Sequence, residues 1–162
     1  MSRTHVTYSE TIAGSPQAIF DLLADMPNYG VWLPRSKSFT EITKVAPYPV
    51  QLGTAYLDTG SQGERPGTVT EFDRPQHLGF HHTMLVKRGP LRVDLDVHIR
   101  YTLKEADART LVTREVDFAV RVPTVFKLAD PIAVAQVRRE NARLLPSLKR
   151  YVETWSGGDS NP

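Results

Sequence analysis

The chain has 162 residues, with 20 lysines and arginines against 18 aspartates and glutamates, for a net charge of +2. This length suits one ordinary domain, and its basic residues are scattered, the densest run being VRRENAR with a glutamate inside it, so the stripe of a nucleic-acid binder is missing. There is no cysteine, which excludes disulfides, thiolate metal sites and a cysteine nucleophile.

THVTYSETIA alternates, with Val6, Tyr8 and Ile12 on one side and His5, Thr7, Ser9 and Thr11 on the other. This predicts a strand with one buried face. In GSPQAIFDLLA, Ser15 suits an N-cap and Pro16 the first helical position, and Ile19, Leu22 and Leu23 follow at helical spacing. Pro27 cannot continue that helix, because it has no amide donor and clashes with the preceding turn. Residues 15–33 therefore read as two short helices in a V.

Turn-bounded strands come next: SFTEITKV, TAYLDTG, TVTEF and HLGFHHTMLV. The loop APYPVQLG, the Gly/Pro-rich turn SQGERPG, and DRPQ separate them. LRVDLDVHIRYTLKE places Val93, Leu95, Val97, Ile99, Tyr101 and Leu103 on one face and mostly charged residues on the other, the pattern of an antiparallel strand dry on one side. TLVTREVDFAVRV is the last strand, with Val112, Val116, Phe118 and Val120 inward. A long helix follows, with Asp130 at its cap and Pro131 in its first turn. Val134, Val137, Leu144, Leu145, Leu148, Val152 and Trp155 recur at three and four, and Pro146 is expected to kink it. PTVFKLAD, with Phe126 and Leu128, is expected to form a loop before this helix. The organisation is one domain over 1–155 and a small, polar, disordered tail over 156–162.

The fold class is thus α+β: a strand, two short helices, about six more strands and a long helix. A sheet of this length with one dry face needs a cover, and the long helix is the only element large enough. A curved sheet around one helix leaves a hollow, with the short helix pair at one end.

Three stretches carry a resemblance: ETIAGSPQAIFDLLADMPNYGVWLP, GTVTEFDRPQHLGFHH and ENARLLPSLKRYVE. With them the chain resembles the START-like, or SRPBCC, superfamily, which includes polyketide cyclase/dehydrase proteins and Bet v 1-type allergens. The resemblance implies a helix-grip fold, a curved antiparallel sheet of about seven strands wrapped around the C-terminal helix. It also implies an internal cavity for a small hydrophobic ligand such as a lipid, a polyketide or another aromatic or isoprenoid metabolite. The superfamily also contains cyclases acting on polycarbonyl chains and protein-interaction modules, so these two alternatives stand beside the carrier.

Asn141 falls on the apolar stripe of the last helix, where an amide must find hydrogen bonds. It either meets a ligand or bonds to neighbouring backbone, and the resemblance favours the ligand, since the family's aromatase/cyclases place asparagine, arginine and tyrosine in their pockets. Arg114 shares parity with Val112, Val116 and Phe118, and a buried guanidinium needs an anionic or carbonyl partner. That partner is a ligand or, by parity, Glu10 or Glu71. His81 and His82 point to opposite faces, and His82, in phase with Leu78, Phe80 and Met84, is the inward one. If there is catalysis, His82, Arg114 and Tyr101 are its candidates. Trp32, Tyr29, Phe80, Phe118, Val137 and Leu144 complete the expected lining, and Tyr8 and Tyr56 are further candidate phenols. No metal-ligand spacing, P-loop, dinucleotide motif or nucleophile elbow occurs, so no metal or cofactor is expected. MSRTHVTYSE has no apolar signal region, and no run approaches the roughly 20 residues of a membrane span. The expected setting is cytoplasmic, as a monomer or homodimer.

Overall fold

The computed structural model describes residues 3–36, 39–61, 63–122 and 130–158. Strand β1 (Arg3–Ile12) leads into α1 (Pro16–Ala24) and a 3₁₀ helix, η1 (Met26–Val31). Six strands follow: β2 (Glu41–Ala46), β3 (Ala55–Gly60), β4 (Gly63–Asp73), β5 (His77–Arg88), β6 (Leu91–Ala106) and β7 (Arg109–Arg121). Two joined helices close the chain, α2 (Asp130–Ala142) and α3 (Leu144–Gly158). All strands form one antiparallel sheet in the order β1-β7-β6-β5-β4-β3-β2. The first strand pairs with the last, and the others are linked as hairpins. Among the described residues no helix is long and apolar enough to cross a membrane.

Local chemistry sets the helix boundaries. Ser15 caps α1 by accepting a hydrogen bond from the Ala18 amide at 3.1 Å, one of the donors a helix start leaves unpaired. α1 stops at Ala24, Asp25 stands between the helices, and Pro27 falls in the first turn of η1. Ile19, Phe20 and Leu23 of α1 and Met26 of η1 are fully buried. The expected kink at Pro146 is a break three residues earlier, at Arg143, between α2 and α3. Proline has no N–H to donate to the carbonyl of Ala142 and its ring crowds that carbonyl. The Ser147 amide picks up the chain again at the carbonyl of Arg143, at 3.2 Å. α3 extends into the segment expected to be a tail, reaching Gly158. Residues 159–162, and the PTVFKLAD loop over 123–129, lie outside the described residues.

Two irregularities interrupt the sheet. SQGERPG, expected to be a turn, is mostly strand: Gly63 opens β4 at φ +145° and Arg65 pairs with Asp58. Pro66 is tolerated there because the β4–β5 ladder begins only at Gly67. A bulge between Val69 and Glu71 then reverses the alternation. β2 carries a second bulge, between Thr43 and Ala46, with Lys44 in the left-handed region at φ +54°.

The core lies between the inner face of the sheet and the helices. Leu78, Val112 and Val116 from the sheet meet Leu145 and Leu148 of α3, all at 0–1 % exposure.

Candidate functional site

The inner face of the sheet is dry under α3 and α1 and polar under α2. Here Met26, Tyr29, Phe80, Ile99 and Leu144 bound a cavity of about 120 Å³, and Tyr56, Asp58, Arg65, His82, Tyr101, Arg114 and Asn141 turn polar groups into it.

Arg114 is at its centre. It stands on β7 between Tyr8 of β1 and Tyr101 of β6 and is 3 % exposed. Its Nε donates to the Tyr101 hydroxyl at 2.9 Å and its Nη1 to Asn141 Oδ1 at 2.6 Å. The guanidinium also sits 5.6 Å from the Tyr101 ring centroid, within cation–π range. Asn141 in turn donates to the carbonyl of Val137, one turn back on α2, at 2.7 Å. The expected carboxylate partners are elsewhere. Glu10 meets Lys149 at 3.5 Å, and the bulge turns Glu71 to the outer face, where Arg100 binds it at 2.9 Å. Among the described residues, no carboxylate lies within ion-pair distance of Arg114.

β3 and β4 supply a second charged pair. Asp58 and Arg65 are directly opposite and join in a fork, with Nε to Oδ2 at 3.1 Å and Nη2 to Oδ1 at 2.9 Å. Burial raises the Asp58 pKa and the Arg65 charge partly offsets this. Beside them, His82 Nδ1 is 3.5 Å from the Tyr56 hydroxyl. Gly67 separates these two residues in the sheet. A Cβ there would come within 2.4 Å of the Tyr56 ring, so only glycine lets the ring lie across β4. Burial, with the charges of Arg65 and Arg114, drops the His82 pKa from 6.5 to about 3, so the ring is neutral at physiological pH. Burial likewise raises the Tyr56 and Tyr101 pKa values, keeping both phenols protonated.

At the α2–α3 junction, Arg143 donates to Glu140 at 3.1 Å, to the Ser36 hydroxyl at 3.0 Å and to the carbonyl of Pro34 at 2.6 Å. This latch ties the break in the helix to the segment after η1. The cavity lining thus holds three guanidiniums, Arg65, Arg114 and Arg143, against two carboxylates, Asp58 and Glu140. With His82 neutral, the balance is one positive charge, carried by Arg114.

Of the expected residues, Tyr29, Phe80, His82, Tyr101, Arg114, Asn141 and Leu144 meet at this cavity. Trp32, Phe118 and Val137 are not part of its lining. Trp32 packs on Tyr29 with centroids 4.9 Å apart, and among the described residues its buried indole N–H has no acceptor. Phe118 belongs to the core at 1 % exposure, and Val137 is half-buried against that core. The Tyr29 hydroxyl donates to the carbonyl of Leu23, which joins η1 to α1. Tyr8 donates to the carbonyl of Arg138 at 3.2 Å and so holds α2 to β1. Sequence reading missed Asp58, Arg65, Glu140 and Arg143. Asp58 was visible as the in-phase neighbour of Tyr56, whereas Arg65 was hidden inside a stretch read as turn.

Comparison with known proteins adds the lineage. The family model described as polyketide cyclase / dehydrase and lipid transport matches residues 3–153. No curated protein matches the sequence. Among solved structures, the Zhui aromatase/cyclase from Streptomyces sp. R1128 aligns with a TM-score of 0.72 at 15 % identity, over 94 % of each chain. A START superfamily protein from Mycobacterium smegmatis aligns with a TM-score of 0.65 at 14 % identity, over 93 % of this chain and 98 % of the other. DynU16, a putative protein in the dynemicin biosynthetic locus, aligns with a TM-score of 0.61 at 15 % identity, over 93 % of this chain but only 47 % of its own.

Proposed function

Because the chain belongs to the polyketide cyclase / dehydrase and lipid transport family, within the START-like superfamily, we propose that it binds a small hydrophobic molecule through a carbonyl, enolate or carboxylate oxygen directed at Arg114. The observation that carries this reading is the buried guanidinium. A charge held out of water needs compensation, yet its partners within the protein are a neutral phenol and a neutral amide. An apolar ligand with one electron-rich oxygen supplies the missing charge, while Phe80, Ile99 and Leu144 contact its body. Small-molecule pockets commonly take this form, mostly apolar with a few fixed polar groups. The cavity of about 120 Å³ is well below the ~300 Å³ at which ligand pockets start. The proposal therefore includes an outward movement of α2 on loading, hinged at Arg143.

The test uses two matched probes, 2-naphthoate and the neutral 2-naphthamide, with mass spectrometry of small molecules released from freshly purified protein. Arg114→Gln is expected to weaken naphthoate about 10-fold or more, the worth of a charged hydrogen bond, and to leave the amide nearly unchanged. Asn141→Leu is expected to weaken it less, because the guanidinium stays but loses its anchor. Equal affinities of wild type and Arg114→Gln for both probes would remove Arg114 from the site.

A second reading, cyclisation or dehydration of a bound polycarbonyl chain, is supported by the convergence of His82, Tyr56, Tyr101 and Arg114. In it, His82 takes a proton from a carbon between two carbonyls, Arg114 and Tyr101 hold the resulting enolate, and the enolate carbon attacks a second carbonyl of the chain to close the ring. The new alkoxide takes the proton back from His82, and dehydration then removes the remaining proton on that carbon together with the new hydroxyl, as water. A ring with a pKa of about 3 is a weak base, which places this reading second. It predicts that His82→Gln abolishes turnover of a polycarbonyl substrate while binding persists.

A further inference from the structure

The outer face of the sheet, opposite the cavity, carries every histidine except His82. Three of them stand in one cross-strand row, His5 opposite Asp117, Asp117 opposite His98, and His98 opposite His81. His81 and His98 stack with ring centroids 4.1 Å apart and planes 9° from parallel. Asp96, on the same face of β6 as His98, reaches both rings. Its Oδ1 is 2.6 Å from His81 Nε2 and its Oδ2 is 3.5 Å from His98 Nε2. The three donor atoms lie within 4.8 Å of one another.

We propose that His81, Asp96 and His98 form a surface site for a divalent transition-metal ion of the Zn²⁺ type. Both rings turn Nε2 toward one carboxylate, an arrangement in which a single cation satisfies three donors. Two imidazoles and a carboxylate suit zinc and its late first-row neighbours, whereas Mg²⁺ and Ca²⁺ take oxygen ligands. Bonds of about 2.0–2.2 Å to zinc put tetrahedral donors roughly 3.4 Å apart. The His98 Nε2 to Asp96 Oδ2 separation of 3.5 Å is close to this, the His81 Nε2 to Asp96 Oδ1 contact of 2.6 Å opens by about 0.8 Å, and the stacked rings turn so that both nitrogens converge on the ion. The side chains are 34–50 % exposed, so the remaining coordination positions face solvent. Arg3 donates to Asp96 Oδ2 at 3.1 Å. It competes with the ion for that oxygen while holding the carboxylate in place. The bound ion ties β5 to β6 on the far side of the sheet from the ligand cavity, one residue from His82.

The test is calorimetric titration of ZnCl2 into the full, tag-free chain at neutral pH, with Zn²⁺-induced shifts of the histidine ring resonances followed by NMR. One equivalent is expected to bind, with the His81 and His98 resonances moving together. His98→Ala, His81→Ala and Asp96→Asn are each expected to weaken binding about 10-fold or more. His5→Ala, in the same row but bonded to Asp117 at 2.8 Å, is expected to bind as the wild type does. Absence of stoichiometric binding, affinity unchanged in His98→Ala, or an equal loss in His5→Ala would each overturn the site. The NMR shifts in the wild-type protein decide the matter without reference to how well any variant folds.

Discussion

α2 and α3 join at Arg143 but are held to the sheet by different forces. α3 inserts Leu145, Leu148 and Val152 into the core at 0–8 % exposure, so hydrophobic burial fixes it. α2 buries little: Val134 and Val137 are half-buried, and Ile132 faces solvent at 72 % exposure. Its attachments are polar, from Tyr8 to the carbonyl of Arg138, from Arg114 to Asn141, and through the Arg143 latch. Apolar contact has no preferred direction and tolerates no opening. A few hydrogen bonds can be exchanged for bonds to a ligand or water at small net cost. One half of the helical cover therefore serves the fold, and the other serves the cavity.

Leu148→Ala tests the anchored half and should have the largest effect, a loss of about 2–5 kcal/mol in urea denaturation. Val137→Ala on α2 should lose less than half as much, and equal losses would erase the contrast. Asn141→Leu removes one charged hydrogen bond of the buried guanidinium and should lose about 1.5–3 kcal/mol, held to that range because Arg114 keeps its bond to Tyr101. Gly67→Ala acts on the cavity wall. It overpacks the Tyr56 ring and should lose about 1–3 kcal/mol, with the Tyr56 ring resonances moved and the α3 core resonances unchanged. The pH dependence sharpens the comparison further. His82 is depressed from 6.5 to about 3, so between those values the unfolded chain binds a proton that the folded chain excludes. The stability of the neutral ring is thus complete above pH 6.5 and is lost as pH falls toward 3, with a slope of at most about 1.4 kcal/mol per pH unit. The stability difference between wild type and His82→Gln, followed from pH 7 to 4, should shrink accordingly, and a flat difference would place His82 in water.

The order of elements was legible in the sequence, because alternation over Val93–Leu103 and three-four spacing over Val134–Val152 are strong signals of burial. Half of the cavity was legible for the same reason: Arg114 and His82 declare their inward direction by phase with apolar neighbours. What failed was phase across an irregularity. The Val69/Glu71 bulge moved Glu71 to the outer face, and Gly63 and Pro66, both turn residues by habit, concealed the strand that carries Arg65. The actual partners of Arg114 depend on the packing of β6 and α2 against β7. No spacing along the chain encodes that packing.

The bulge in β2 has a consequence beyond the pocket. A seven-stranded sheet that does not close into a barrel ends in exposed strands, and such edges invite other chains to add on and polymerise. β2 is one of these ends. Its pairing register shifts between Thr43 and Ala46, and Lys44 within that gap adopts a left-handed backbone. A chain laid along β2 could stay in step only up to Thr43, and beyond it would meet a bent backbone and a lysine. The backbone of this margin is thus shaped against amyloid-like growth from that side.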